Sequence, residues 1–217
     1  WQIWRKAESA ATGKFMRTGI TMAAILIPIQ IAIGDLHGLN TLQHQPQKIA
    51  AMEGIWQTSS HQPLLLFAIP DEKNKTNHYE VAIPNLASLI LRHDTNGVVQ
   101  GLNDFPEQHP PVAPVFFSFR LMIGMGLLML LTSWLGVYLL RRCQWQTQHL
   151  PRWYLRLLIA STFSGWIATL AGWYVTEIGR QPFIVYGLIR SKEVATQISS
   201  TTVATSLIIF ALLYVAL

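Results

Sequence analysis

Trp173-Tyr174-Val175-Thr176-Glu177-Ile178-Gly179-Arg180-Gln181-Pro182 closes a run that is otherwise suited to lipid. From Tyr154 to Thr176 the only charge is Arg156, and a helical run of that length crosses a hydrocarbon core of ~30 Å. Glu177 stands at the mouth of this span. An ionised carboxylate at membrane depth costs ~2.5 kcal/mol or more, so it is kept where it is paired, protonated, or bound to a cation or metal centre. Helical spacing puts Trp173 and Glu177 one turn apart on one face, with Arg180 three residues on. An aromatic plane, a carboxylate and a guanidinium then line one pocket, and Gly179 and Pro182 close the helix. The plainer reading of the same residues is an interfacial belt with a solvated Glu/Arg pair.

The composition agrees with a lipid environment. Of 217 residues, 51% are hydrophobic and 12% charged, about half the charge of an ordinary soluble domain. The fold class expected is all-α, a polytopic membrane helical bundle with a long extracytoplasmic loop. The formal charge of +5 does not indicate nucleic acid, because the basic residues are scattered around apolar spans instead of gathering on one patch. Cys143 is the single cysteine, which excludes an intrachain disulfide and a cysteine-held metal. Trp1 and the apolar run ending at Leu217 lead us to expect a piece of a longer polypeptide.

Outward from the third span, the expected organisation is as follows. Residues 1–14 form a basic cytoplasmic segment, and residues 15–34 a first transmembrane helix kinked at Pro28 and ended by Asp35 and His37. Residues 35–114 form an extracytoplasmic loop too long for a simple connection, and such loops are functional or disordered. Within it, Gln45-Pro-Gln-Lys48-Ile-Ala-Ala-Met-Glu53-Gly-Ile-Trp56 predicts a short amphipathic helix, with Pro at its start and Ile49, Met52 and Trp56 on one stripe. Phe67–Asp71 and Tyr79–Pro84 predict two extended pieces around a turn. Residues 115–140 are a second transmembrane helix, 141–153 a cytoplasmic connection, 154–177 the third helix, 178–200 an extracytoplasmic loop, and 201–217 a truncated fourth span. Arg5, Lys6, Lys14 and Arg17 balance Arg141, Arg142, Arg152 and Arg156, which places both of those ends in the cytoplasm.

Three sets of residues then share the outer face: Lys48 with Glu53, Arg120 with Met122, and Trp173 with Glu177 and Arg180. Met122 in an apolar helix is ordinarily a packing residue; the alternative is an axial haem ligand. Arg120 either snorkels to the headgroups or pairs a haem propionate. Lys48 and Glu53 are five residues apart, so they do not stack on a helix but can both reach one cleft; for a quinol substrate, a carboxylate there can accept a hydroxyl proton and an ammonium can hold the oxygen. The plainer reading is two solvated loop charges. No His falls inside a predicted span, and no phosphate loop, His-Glu-x-x-His or serine-nucleophile context appears.

Gly34-Asp35, Gln45 to Gly54, Val112-Ala-Pro, Phe119-Arg120-Leu-Met122 and Gly172-Trp-Tyr-Val-Thr-Glu177-Ile-Gly-Arg180-Gln-Pro together resemble subunit I of the cytochrome bd type quinol oxidases, in their order and separations. The Gly-Arg-Gln-Pro-Phe-Ile-Val-Tyr run is closer to the short-loop, cyanide-insensitive branch, and the match is to the carboxy-terminal part. The resemblance implies that Lys48 and Glu53 bind and oxidise quinol. It also implies that Met122 ligates a low-spin haem b iron with Arg120 beside it, and that Glu177 ligates a high-spin haem iron with Trp173 and Arg180 nearby. The cofactors it implies are low-spin and high-spin haem b and either haem d or a second high-spin haem b. Its partners are quinol, oxygen, a subunit II and membrane lipid, in a bacterial inner membrane. Phe183 stands where the family usually has Trp. Two other classes stay open: a haem-free transporter using Glu177 and Arg120, which calls for inverted repeats that the sequence does not display, and a degenerate assembly subunit.

Overall fold

A computed structural model describes residues 10–106, 109–194 and 198–216; residues 1–9 of the expected amino-terminal segment lie outside them. The chain divides into two units, Trp1–Gln181 and Pro182–Leu217.

In the first unit three helical stretches are long and apolar enough to cross a membrane: Ala11–His44, Val112–Arg142 and Arg152–Gly179. Helix α1 covers Ala10–His44 without interruption, a rod of ~50 Å at 1.5 Å per residue. Asp35 and His37, expected to end it, lie inside it. Their polarity marks where a helix leaves an apolar medium, and that alone breaks no backbone hydrogen bond. What ends α1 is Pro46, because proline disfavours helical geometry in the residue before it, and Gln45 sits at φ −141°, ψ 63°. Pro28 is accommodated within the helix.

Helix α2 then runs Pro46–Glu53, with Pro at the position where the absent N–H is not needed. Gly54 ends it at φ +69°, a left-handed conformation that suits glycine. The Gly54 N–H donates to Ala51 O at 3.3 Å and the Ile55 N–H to Ala50 O at 2.9 Å, the paired closure of a Schellman cap. Ile49, Met52 and Trp56 are all buried, as their stripe predicted, although Trp56 lies past the helix end.

Strands β1 (Leu64–Asp71) and β2 (Thr76–Ile83) pair antiparallel with irregular register, so the two extended pieces form a hairpin. Asp71 ties its turn: Oδ1 accepts from the Lys73 and Asn74 amides at 2.9 and 3.2 Å, and Oδ2 from Asn74 Nδ2 at 2.7 Å. Those hydrogen bonds, the Asn74 ones foremost, hold the Asp71 carboxyl down to about 2. A short helix α3 (Leu86–Arg92) follows.

Helix α4 (Val112–Arg142) runs antiparallel to α1, since Arg17 Nη1 donates to Trp145 O at 3.2 Å near the opposite terminus. The third stretch differs from expectation. Helix α5 (Arg152–Ala160) and helix α6 (Ser164–Gly179) are separated by a 3-10 turn at Ser161–Phe163. There Ser161 Oγ donates to Leu157 O, Thr162 Oγ1 to Ile159 O and Ser164 Oγ to Ser161 O, at 2.9, 2.7 and 2.7 Å. Clustered hydroxyls that return to their own backbone tighten or bend a helix. On α4, Gly136 admits the Tyr154 ring, whose hydroxyl donates to Thr132 O at 3.0 Å.

In the second unit β3 (Phe183–Val185) and β4 (Ile189–Arg190) form a small hairpin turning at Gly187, φ +72°. Helix α7 (Ser191–Val194) and the apolar 17-residue helix α8 (Ser200–Ala216) follow.

Gly54→Ala is expected to destabilise the α2 end by ~1–2 kcal/mol, since it forces an L-residue into left-handed geometry and sets a Cβ 3.2 Å from the Phe116 ring. The denaturation midpoint of the full-length protein in detergent checks this; an unchanged midpoint contradicts it.

Candidate functional site

Helix α2 lies over the adjoining ends of α4 and α6. Ile49, Ala50, Ala51 and Met52 form one buried cluster with Val112 and Val115 of α4 and Val175 of α6. Its two charged side chains leave toward different helices. On a helix, five residues amount to ~140° of rotation at 3.6 residues per turn, and that angle separates them.

Glu53 goes to α4. Its side chain is 9% exposed, and Oε2 accepts from Arg120 Nη2 at 2.8 Å. Arg120 also donates from Nη1 to Met52 O at 3.0 Å and from Nε to Leu65 O of β1 at 2.6 Å. Its guanidinium carbon lies 4.5 Å from the Phe116 ring centre and 5.4 Å from that of Phe119. Burial pushes the Glu53 carboxyl above its ordinary range, and the charge and hydrogen bond of Arg120 offset this only in part.

Lys48 goes to α6. Its stem lies against Gly179, where an added Cβ would come within 3.0 Å of Lys48 Cε, so the glycine that ends α6 also makes room for the lysine. Burial is the main cause lowering the Lys48 ammonium from its ordinary range; the carboxylate of Glu177 opposes it and Arg180 adds to it. The expected single cleft shared by Lys48 and Glu53 is therefore replaced by two attachments. A neighbouring pocket of about 440 Å³ is lined by Trp56, Gln62, Leu65, Asn77 and Glu80 among others, and neither charge lines it.

Glu177 and Arg180 pair as their spacing predicted, Oε2 to Nη2 at 2.6 Å, with side chains 39% and 45% exposed. Trp173 is exposed one turn back and its ring centre lies 5.7 Å from that of Tyr174.

Met122 lies two residues beyond Arg120, on the far side of α4, and faces α6. A Cβ added at Gly172 would stand 3.0 Å from its Sδ. Met129, two turns along, lies over Gly165, where an added Cβ would stand 4.0 Å from its Sδ. The α4–α6 seam is thus thioether over glycine. Met122 points inward along this seam, which is compatible with a ligand as well as with packing. For a haem, the donor set offers one thioether at Met122 and one carboxylate at Glu177, each a single axial donor of a type that haem iron accepts in the first case and hard oxygen chemistry allows in the second. Gly172, lacking a Cβ, makes room for that sulfur against α6. Among the described residues no group of three His, Cys, Asp or Glu converges.

With that geometry in place, similarity to known proteins is informative. Residues 1–217 match the family described as cytochrome bd terminal oxidase subunit I. The chain belongs to that family. It is 32% identical over 196 residues to the cytochrome bd ubiquinol oxidase subunit 1 of Bacillus subtilis (strain 168), covering 85% of this chain and 41% of that protein. It is 26% identical over 281 residues to the cytochrome bd-II ubiquinol oxidase subunit 1 of Escherichia coli (strain K12), covering 99% of this chain and 54% of that one. The solved bd oxidase from Geobacillus thermodenitrificans matches with a TM-score of 0.85 and 33% identity, over 100% of this chain and 49% of that chain. This bd oxidase subunit I chain thus spans about half the length of the relatives it matches.

Sequence reasoning missed two features of this bd-family site. One is the Glu53–Arg120 pair, 67 residues apart; the available signal was that a charge inside an apolar helix requires a partner. The other is Gln47, 2% exposed, whose Oε1 has no hydrogen-bond partner among the described residues. No sequence signal pointed to it.

Gly172→Ala is expected to cost ~1 kcal/mol or more by overpacking the seam, while Gly165→Ala, with 4.0 Å to the nearest sulfur, is tolerated. Denaturation midpoints of the two variants, side by side, check the order.

Proposed function

We propose that this chain is part of subunit I of a terminal respiratory oxidase that oxidises quinol and reduces oxygen to water. The observation that carries the reading is one turn of α4: Arg120 on it holds the buried carboxylate of Glu53, and Met122 on it faces α6 with its sulfur over Gly172. A proton acceptor and a candidate iron ligand are thereby attached to the same rigid element.

Oxidation of a quinol to a quinone releases two protons and two electrons. Glu53 accepts a hydroxyl proton, and burial, which raises its carboxyl above the ordinary range, makes it a better base once ionised. Lys48 steadies the substrate oxygen at the other end of α2, where a partly desolvated ammonium is a strong donor. Met122 would hold a low-spin haem b, and Glu177, with Arg180 fixing one of its oxygens, would hold a high-spin haem with Trp173 beside it. Haem, when bound, supplies iron that takes the electrons singly and delivers four of them, with four protons, to one oxygen molecule to give two waters. Whether the remaining haem is type d or type b does not alter what these residues do. The subunit would work with a subunit II in a bacterial inner membrane, with the loop outside. Quinol protons released outside and protons drawn from the cytoplasm then build a membrane potential without a pump.

Two measurements on the complete complex test this. Met122→Leu is expected to remove or shift the low-spin haem band in a reduced-minus-oxidised spectrum; an unchanged spectrum rejects the ligand. Because the carboxyl of Glu53 is raised and the ionised form is the base, the quinol-driven rate should fall as the pH drops through that raised value. The acidic limb of the kcat/KM profile therefore lies above the ordinary carboxylate range. Glu53→Gln should abolish this limb and slow quinol oxidation, sparing reduction by an artificial electron donor; a limb that survives the substitution belongs to another group.

A further inference from the structure

Arg120 lies in an apolar helix, yet its side chain is only 16% exposed and three of its nitrogens donate to protein oxygens. Two of the acceptors, Met52 O and Glu53 Oε2, close the end of α2, and the third, Leu65 O, belongs to β1. A guanidinium presents its donors in a fixed planar fork, so acceptors on two separate segments define its orientation. The Phe116 and Phe119 rings adjoin it. Snorkelling to water does not describe these contacts, since the donors turn toward backbone and carboxylate.

The remaining ties of the loop point the same way. Asn77 of β2 receives the Trp56 Nε1 hydrogen bond on Oδ1 and donates from Nδ2 to Gly54 O, both at 2.9 Å. Glu72 Oε1 accepts from the Val112 N–H at 2.6 Å, at the first residue of α4. The hairpin is thus anchored to the cap of α2 and to the start of α4, and Arg120 adds a further tie at Leu65 O.

We infer that Arg120 is a positioning residue for quinol oxidation: it aims the carboxylate of Glu53 and locks the end of α2 and the edge of β1 onto α4, without touching the substrate. The inference rests on the reading that Glu53 accepts the quinol proton. A lysine at this position keeps a charge but not the fork, and reaches the carboxylate or a carbonyl, not all three acceptors.

The test is a double-mutant cycle in the full-length subunit within its complete complex. Quinol kcat and KM are measured beside the rate with an artificial one-electron donor that bypasses the loop. Glu53→Gln and Arg120→Met are each expected to lower quinol kcat/KM by about tenfold or more. Combined, they should do no worse than the poorer single variant, as groups acting through one another do. Arg120→Lys should fall between wild type and Arg120→Met. If Arg120→Met fails to assemble because a buried carboxylate is left unpaired, the double variant removes that charge and should assemble again.

Losses that multiply in the double variant overturn the inference, as does a double variant that assembles no better than a failed Arg120→Met. Equal slowing of both reductants by Arg120→Met also overturns it, by assigning the residue to a later stage of electron transfer. A Glu53→Gln variant with undiminished quinol oxidation overturns the reading of Glu53 itself, and with it the role given to Arg120.

Discussion

A guanidinium set one turn or two inside an apolar helix has to keep its donors hydrogen bonded, because each donor left bare in a dry setting costs on the order of 1–3 kcal/mol. In this chain that requirement is met by the loop. Arg120 takes two backbone carbonyls and one carboxylate, and each acceptor fixes a piece of backbone. The carbonyl of Met52 belongs to the last turn of α2, where helix carbonyls have no partner within the helix. The carbonyl of Leu65 belongs to a strand whose register is already irregular. One side chain thus satisfies groups on two elements, α2 and β1, that would otherwise be left open.

The same requirement explains why α2 is short and why it lies where it does. A helix of eight residues is not stable alone in water, so its order comes from packing. Ala50 and Ala51 are fully buried, small enough to let α2 press onto α4 and α6 together. With the helix packed in that way, Lys48 and Glu53, ~140° apart around it, leave on different flanks. Each flank offers one opposite charge, Glu177 near Lys48 and Arg120 at Glu53. The carboxylate that serves quinol chemistry in our reading is therefore held by the second span, and the lysine by the third.

Much of this was legible in the sequence. The apolar spans, the short helix beginning at Pro46, the two strands of the hairpin and the Glu177–Arg180 pair all follow from spacing and composition, because each depends on residues within a few positions of one another. The Glu53–Arg120 pair was not legible, since two residues 67 apart leave no periodic trace, and an arginine in a span has several possible partners. The extent of α1 was misjudged for a different reason. Polarity at Asp35 marks the boundary of an apolar medium, whereas a helix ends where its hydrogen bonding is interrupted, and that happens at Gln45 before Pro46. The 3-10 turn at Ser161–Phe163 has its cause in plain view in the hydroxyls there, but hydroxyls in apolar helices return to their own backbone without bending it in many places, as Thr169 and Thr176 do here at 2.9 and 3.0 Å.

Met122 shows where packing and chemistry part. Met122 and Met129 occupy equivalent places two turns apart on α4, each over a glycine of α6, so van der Waals contact alone gives no reason to single out one of them. What differs is the surroundings. Met122 shares its turn with a buried guanidinium bonded to a carboxylate, at the end of the helix where the charged residues of α2 and α6 gather, while Met129 lies deeper, near the hydroxyls that begin α6. In our reading a haem held by Met122 would lie near the loop that carries Lys48 and Glu53, whereas Met129, deeper in the seam, is farther from those charges. A Cβ built at Gly172 would come 3.0 Å from the Met122 sulfur, against 4.0 Å from the Met129 sulfur at Gly165, so the seam is packed more closely at its charged end than in its middle.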